Sequence, residues 1–273
     1  MGDSLENTVR SIMNQINENF EVLVIDDASS DNTKEVLNKL LKLYPLLRYE
    51  SLLRDPNRKL GYTRNYSIEK AEGEWCIFHI DADDTIGPHL RDFISAVEML
   101  DRGFKTDKLY AGKQIHMARK SFLLSKGPFR NIYRGEDRDF YERLIPRKEW
   151  ILIEHKRFIF RTTRPTNKLF KKMLLDLIDQ TETDIRKSQN LYSFIVDTWN
   201  SKTRIGIKQI LFKFGIMPYA YIRSNSLGKL EPAEITIEEY VSYRNSNTKT
   251  MDEWCSVLSL SYPEALNSEI FTQ

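Results

Sequence analysis

The sequence predicts an α/β fold with a doubly wound, mainly parallel, Rossmann-like sheet, followed by a mostly helical C-terminal extension. Short segments with the composition of strands alternate with helical patterns through the first half of the 273 residues, which is typical of parallel sheets. Two strands, Glu21–Asp26 and Trp75–Ile80, end in carboxylates, at the position where open α/β sheets bind ligands. Beyond residue 164 the apolar residues follow helical spacing. We therefore predict a first domain over residues 1–164 and a helical extension over residues 165–273.

Each helix and strand of the first half has a local signal. The helices carry apolar residues three or four positions apart, and the strands are short runs of aliphatic and aromatic residues. Pro45 and Gly73 mark the ends of two helices, because neither residue continues a helix readily. In chain order we predict a helix over Leu5–Ile16, the strand Glu21–Asp26, a helix over Val36–Tyr44, the strand Leu47–Leu52, a helix over Leu60–Ala71, the strand Trp75–Ile80 and a helix over Pro88–Leu100.

The second half has a less regular pattern. Its predicted strands are Tyr110–Ala118, Trp150–Ile153 and Arg157–Arg161, and its helical stripes cover Asn167–Gln180 and Ile207–Ile222. Such stripes indicate either core helices or helices that lie on a membrane surface. Thr236 followed by Glu239 predicts a capping box at the start of a late helix.

The net charge is only +2, but the charges are unevenly distributed along the chain. Residues 143–223 contain 17 Lys and Arg against 7 Asp and Glu, whereas both flanking segments are acidic. This segment indicates either an anionic partner, such as the surface of a membrane, or pairing with acids of the same chain. Stacking aromatic residues beside the basic ones are too few to predict a nucleic acid partner. The basic residues next to apolar stripes are Arg164, Lys168, Lys171, Lys172, Lys208 and Lys213.

Cysteine content and hydropathy predict a cytoplasmic protein, with the cytoplasmic face of the membrane as the alternative placement. Cys76 and Cys255 are the only cysteines, and their spacing fits neither a disulfide framework nor a metal site. No signal peptide is visible, and no apolar run approaches the ~20 residues that span a bilayer.

Three carboxylates, Asp81, Asp83 and Asp84, directly follow the strand Trp75–Ile80. Carboxylates this close repel each other, so we expect a cation between them. Mg²⁺ or Mn²⁺, bound together with phosphates, is the best candidate because both ions prefer oxygen ligands. The alternative is an acidic turn in which Asp84 caps the next helix.

Three motifs in a fixed order carry a family resemblance. EVLVIDDASSDNT, GYTRNYSIEKAEGEWCIFHIDADD and RGEDRDFYERL together resemble a family-two glycosyltransferase with the GT-A fold, over about Leu5–Leu144. The resemblance implies a nucleotide-diphosphate-sugar donor and a divalent cation. The acceptor stays open: a hydroxyl of a glycan or of a lipid-linked acceptor, or a lipid phosphate. It favours an inverting transfer in which a carboxylate removes the proton from the acceptor hydroxyl.

The resemblance also implies roles for seven residues. Asp26 and Asp27 match the pair that contacts the nucleobase and ribose, and Arg64 matches a residue near the nucleotide. Asp81 matches the first acid of the D-x-D signature, near the ribose, while Asp83 matches its last acid, the metal ligand. Glu136 and Asp137 match the acid pair at the acceptor site, where we expect Asp137 to be the general base.

One feature departs from the family pattern. Family members begin with a strand and a turn close to V-I-P-T-Y-N, whereas this sequence begins at the following helix with MGDSLENTVRSI. We therefore expect an interior strand to be missing from the sheet, which would leave backbone groups unpaired and lower stability.

Two other functions fit parts of the sequence. A nucleotidyltransferase of related fold would use similar carboxylates, but its glycine-rich phosphate loop is not found near the start. A non-catalytic module that binds anions or membranes would use the basic segment instead. If the protein is either of the two enzymes, a divalent cation should change its affinity for a nucleoside diphosphate. If it is the non-catalytic module, the cation should have no such effect.

Overall fold

Strands and helices alternate through the first half of the chain, as the sequence predicts. The structure is a computed structural model that describes residues 2–127, 129–132, 134–161, 169–200, 206–232, 234–261 and 269–271. Its first elements are α1 (Gly2–Met13), β1 (Val22–Asp26), α2 (Thr33–Leu43), β2 (Leu47–Ser51), α3 (Leu60–Lys70), β3 (Trp75–Phe78), β4 (Asp84–Ile86) and α4 (Leu90–Gly103). They are followed by β5 (Leu109–Gly112), β6 (Ile115–Arg119), α5 (Lys120–Ser125), α6 (Glu136–Leu144), β7 (Trp150–Ile153) and β8 (Ile159–Arg161).

The C-terminal part is mostly helical. Its elements are α7 (Leu169–Lys187), α8 (Leu191–Asn200), α9 (Ile207–Leu227), α10 (Ile237–Asn247), β9 (Thr248–Lys249) and α11 (Met251–Leu258). The predicted capping box of Thr236 and Glu239 is confirmed at the start of α10, and Thr250 with Glu253 forms a second one at α11. The predicted domain boundary at residue 164 lies outside the described residues and stays a prediction.

The sheet is mixed, and it is divided. Five strands have the order β3-β6-β5-β7-β9, while β1-β2 and β4-β8 form separate pairs. Within the described residues, three strand pairings are parallel and three are antiparallel. The predicted single strand Tyr110–Ala118 is instead the hairpin of β5 and β6. Lys113 and Gln114 form its turn, where Gln114 has a φ of 63°.

The core lies on both faces of the five-stranded sheet. Tyr110 and Ile151 point toward α4 and α11, whereas their sequence neighbours Ala111 and Leu152 pack on the opposite face with α5 and α6. This alternation buries both faces of the sheet, as in a doubly wound fold. The predicted α/β class is therefore confirmed, but the sheet is mixed rather than mainly parallel, because the hairpin of β5 and β6 brings β6 antiparallel to both β5 and β3.

A cleft separates the two-stranded sheet from the five-stranded one. β1 and β3 are not paired with each other in the described part of the chain. The cavity between them has a volume of about 340 Å³ and is lined by α1, β1, α3 and the end of β3, including Arg64 and Asp81. The expectation that an interior strand is missing from the sheet stays a prediction.

Candidate active site

The carboxylates after β3 converge on one arginine. Arg161 donates from Nη2 to Asp81 at 2.6 Å and from Nε to Asp84 at 3.0 Å. Its Nε also lies 3.7 Å from Oδ1 of Asp83. The contact arises because β8 pairs antiparallel with β4 and places Arg161 directly opposite Asp84. A cation therefore lies at the position predicted from charge repulsion, and in this structure it is a guanidinium.

A tight turn holds these acids in place. The Asp84 carboxylate is fully buried and accepts the backbone N–H of Asp81 at 2.8 Å, while the Asp84 N–H donates to the Asp81 carbonyl at 3.0 Å. The hydroxyl of Thr8, on α1, donates to the Asp84 carbonyl at 2.5 Å. The alternative prediction, that Asp84 caps the next helix, is wrong, because Asp84 begins β4 and the cap of α4 is His89.

The second acid group lies at the start of α6. Gly135 has a φ of 77° and precedes Glu136, the first residue of the helix. Glu136 is buried and accepts a hydrogen bond from Nε of Arg64 at 2.9 Å. Burial raises the pKa of the Glu136 carboxyl, while the Arg64 guanidinium acts to lower it. Asp137 is half-buried, and its Oδ1 accepts the Arg138 backbone N–H at 2.7 Å.

Close packing fixes the position of Arg64 on α3. Asn65 donates to the Phe129 carbonyl and accepts the Phe129 N–H, both at 2.8 Å. Gly61 lies so near the same loop that a Cβ there would be 1.9 Å from the Arg130 carbonyl. These contacts hold α3 against the segment that leads into α6, so Arg64 and Glu136 meet although 72 positions separate them.

Asp26 and Asp27 have different environments at the end of β1. Asp26 is buried, accepts the Ser29 N–H at 2.9 Å, and lies 3.4 Å from the hydroxyl of Tyr49. Asp27 is 45% exposed at its side chain and pairs with Arg58 at 2.6 Å. Asp26 therefore holds the turn after β1, whereas Asp27 is accessible to a ligand.

A cluster that was not predicted from the sequence connects the end of β3 with β6 and α6. Tyr141, on α6, has its hydroxyl 2.9 Å from Nε2 of His79 and 3.0 Å from Nε2 of His116. Burial lowers the pKa of His116 to about 3 and that of His79 well below its usual value, so both rings are neutral. His79 has a positive φ of 72°. No sequence pattern indicates that His79, His116 and Tyr141 lie together.

The basic segment is largely paired within the chain. Lys187 contacts Asp139 at 2.6 Å and Glu142 at 3.1 Å on α6, and Lys213 contacts Asp184 at 2.7 Å. The pairing interpretation therefore explains part of the charge excess. Lys172 and Lys208 are exposed, and no side chain is described for Arg164, Lys168 and Lys171.

Comparison with known proteins identifies the family. The sequence model of glycosyl transferase family 2 matches residues 2–144, which is just over half of the chain. The chain belongs to glycosyl transferase family 2. The predictions of the family and of a transferase enzyme are thus confirmed.

Curated relatives match this family 2 chain over part of their length. A GalNAc(5)-diNAcBac-PP-undecaprenol β-1,3-glucosyltransferase of Campylobacter jejuni is 26% identical over 149 residues, 48% of this chain and 47% of the relative. The chondroitin synthase of Pasteurella multocida is 33% identical over 107 residues, 39% of this chain and 10% of the relative. The chain thus matches less than half the length of these relatives.

Solved structures extend the likeness beyond the family region. TarS 1-349 of S. aureus, in complex with UDP-GlcNAc, superimposes with a TM-score of 0.52 at 15% identity. The match covers 95% of this chain and 89% of that chain. The GT-A fold prediction is confirmed. In the described residues, no helix is long and apolar enough to span a membrane.

Proposed function

We propose that this family 2 enzyme transfers a sugar from a nucleoside diphosphate donor to an acceptor hydroxyl, with inversion at the anomeric carbon. One observation carries the proposal: the two carboxylate groups of the site differ in their surroundings. Asp81, Asp83 and Asp84 surround a cation, whereas Glu136 and Asp137 lie apart from it at the start of α6. Displacement of a diphosphate needs charge neutralisation at one place and proton removal at another.

The donor occupies the edge formed by the ends of β1 and β3. We assign nucleoside contacts to Asp26, Asp27, Arg64 and Asp81. Asp27 and Asp81 have side chains that are 45% and 47% exposed, so both can accept hydrogen bonds from a ribose or a base. Asp26 is buried, and besides its assigned contact it holds the turn that presents Asp27. This assignment leaves the base and the sugar of the donor open.

The residues after β3 fit a divalent cation that is shared with a diphosphate. In the described residues there is no group of three or more side chains arranged as a complete metal site. Mg²⁺ sites often use one or two carboxylates and complete the shell with phosphate and water, and the oxygens around Arg161 provide such carboxylates. Asp83 would hold the ion, and the ion would neutralise part of the negative charge on the leaving diphosphate.

Asp137 is the proposed general base. It accepts the proton of the acceptor hydroxyl while that oxygen forms a bond to the anomeric carbon, and the sugar–phosphate bond breaks with its electron pair leaving on the diphosphate. Arg64 holds Glu136 in place with a hydrogen bond of 2.9 Å. We assign to Glu136 the role of orienting the acceptor. The hydrogen bond also connects the acceptor side with the donor side, because Arg64 lines the cleft at β3.

We further propose that the acceptor is a glycan or is linked to a lipid, and that the enzyme contacts the cytoplasmic face of the membrane. The undecaprenol-linked name of the Campylobacter relative supports this. On α9, Ile207, Leu211 and Ile222 are exposed together with Lys208. Apolar side chains beside a cation are typical of interfacial helices.

Cosedimentation with liposomes tests the membrane contact. More protein should sediment with anionic than with neutral liposomes, and the difference should decrease as the salt concentration rises. Equal binding to both kinds of liposome would exclude an electrostatic contact.

A thermal-shift screen tests the central proposal. A ligand that binds only the folded state stabilises it by about 2.7 kcal/mol at 100 times its Kd. We expect one nucleoside diphosphate among UDP, GDP, CDP and ADP to raise the unfolding temperature in Mn²⁺, and much less in chelator. The corresponding nucleotide sugars, incubated with glycan acceptors, should then release that diphosphate. Absence of stabilisation by every nucleotide would contradict the proposed donor.

A further inference from the structure

We propose that Arg161 couples cation binding to donor binding. Before the donor arrives, the guanidinium holds the carboxylates after β3; when the donor and a divalent cation bind, it moves to the diphosphate. The inference rests on the proposed function, and it adds a donor-binding residue outside the sequence motifs. Arg161 lies 17 residues beyond the end of the family match at residue 144.

The contacts of Arg161 coincide with those that a shared cation would need. Its guanidinium reaches Asp81 at 2.6 Å, Asp84 at 3.0 Å and Asp83 at 3.7 Å. A planar fork of N–H donors matches carboxylates and phosphates equally well. The same group can therefore exchange carboxylate oxygens for the oxygens of a diphosphate that binds beside Asp83.

The acids are more firmly held than the arginine. Asp83 and Asp84 are buried, and the turn that carries them is fixed by backbone hydrogen bonds and by Thr8. Arg161 is the last residue of the short strand β8, and its side chain is 43% exposed. The side chain can thus swing toward solvent while β8 stays paired with β4.

Charge gives the exchange its direction. A divalent cation at the oxygens of Asp83 would meet a guanidinium of the same sign within a few ångströms, so each disfavours the other. A diphosphate removes the conflict because its oxygens accept both the metal ion and the arginine. Binding of the ion and of the nucleotide is then mutually favourable, and by linkage each raises the affinity of the other by the same factor.

Mn²⁺ titration of the 273-residue protein tests the inference, with free Mn²⁺ measured by electron paramagnetic resonance. Without nucleotide, Arg161→Gln should bind Mn²⁺ at least tenfold more tightly than the unmodified protein. With saturating Mn²⁺, the same variant should bind UDP or GDP, titrated in parallel, about tenfold more weakly. Arg157→Gln is the matched control, since Arg157 is exposed beside β8 and donates to the Ile159 carbonyl; it should leave both affinities unchanged.

The outcomes separate this inference from the proposed function. If the unmodified protein binds Mn²⁺ only with nucleotide and Arg161→Gln binds it alone, the coupling role holds. If both proteins bind Mn²⁺ equally without nucleotide, Arg161 has no such role, while the proposed cation site stands. If neither binds Mn²⁺ under any condition, the cation site itself is wrong and the inference falls with it. Should Arg161→Gln fail to fold, Arg161→Lys decides, since a point charge bridges fewer oxygens and should give a smaller but measurable gain in Mn²⁺ affinity.

Discussion

The two carboxylate groups of the site differ in how they meet positive charge. Asp81, Asp83 and Asp84 share one guanidinium, whose side chain is 43% exposed. Glu136 is almost fully buried and pairs with Arg64, whose side chain is only 17% exposed. The first group thus shares a partly exposed cation, whereas in the second group Glu136 is enclosed by the protein and Asp137 is half-buried.

This difference suits the two kinds of chemistry in the proposed function. Carboxylates that gather around an exchangeable cation suit the binding of a metal ion and a diphosphate. Burial raises the pKa of Glu136, and the neighbouring Asp137 is half-buried. Such a pair suits the binding of an acceptor hydroxyl and the removal of its proton. The predictions below test this separation, in order of decreasing effect.

The largest effect is expected at Asp137. Asp137→Asn keeps the shape of the side chain but removes the proton acceptor, so the transfer rate should fall by a factor on the order of 10²–10⁴. Nucleotide affinity, measured by calorimetry, should not change. Asp252→Asn is the control, because Asp252 also lies in the first turn of a helix, α11. Full activity of Asp137→Asn would place the base elsewhere.

A smaller effect is expected at Asp83, and it concerns binding. If Asp83 holds the ion that the diphosphate shares, Asp83→Asn should abolish the Mn²⁺-dependent part of the nucleotide stabilisation, about 2.7 kcal/mol at 100 times the Kd. The unfolding temperature without ligand should change little. Glu98→Gln, on the exposed side of α4, is the control. An unchanged Mn²⁺ dependence in Asp83→Asn would assign the ion to other ligands.

Local patterns predicted most of the first half of the fold. The predicted strands Glu21–Asp26 and Leu47–Leu52 agree closely with β1 and β2, and Leu60–Ala71 agrees with α3. Helical and strand periodicity are properties of neighbouring residues, so a single sequence reveals them. The order of motifs likewise pointed to both acid groups; the first follows β3, as predicted, and the second lies at the start of α6.

Contacts between distant residues could not be predicted in the same way. Arg161 belongs to the basic segment by composition, and only the pairing of β8 with β4 brings it to Asp84, 77 positions away. Lys187 and Lys213 belong to the same charge excess, yet they pair with acids of α6 and α7. Net charge along a sequence does not tell which cations a fold will use internally.

The smallest effect is expected at Glu136, and it depends on pH. Because burial raises the pKa of Glu136 in the folded state, the folded protein binds a proton there more tightly than the unfolded chain does. The stability contributed by this proton is complete below the ordinary glutamate pKa, ~4.3, and is lost as the pH rises through the folded value. Glu136→Gln removes this titration.

Glu136→Gln should therefore flatten the dependence of the free energy of unfolding on pH just above the ordinary glutamate pKa, measured by urea denaturation at several pH values. The control is Glu98→Gln, which removes an exposed carboxyl of α4 and should keep the slope of the unmodified protein. Transfer should fall only about tenfold, because orientation of the acceptor is weakened while Asp137 still accepts the proton. If Glu136→Gln is inactive and Asp137→Asn keeps its rate, the two acids have the opposite roles, and the buried carboxyl is the base.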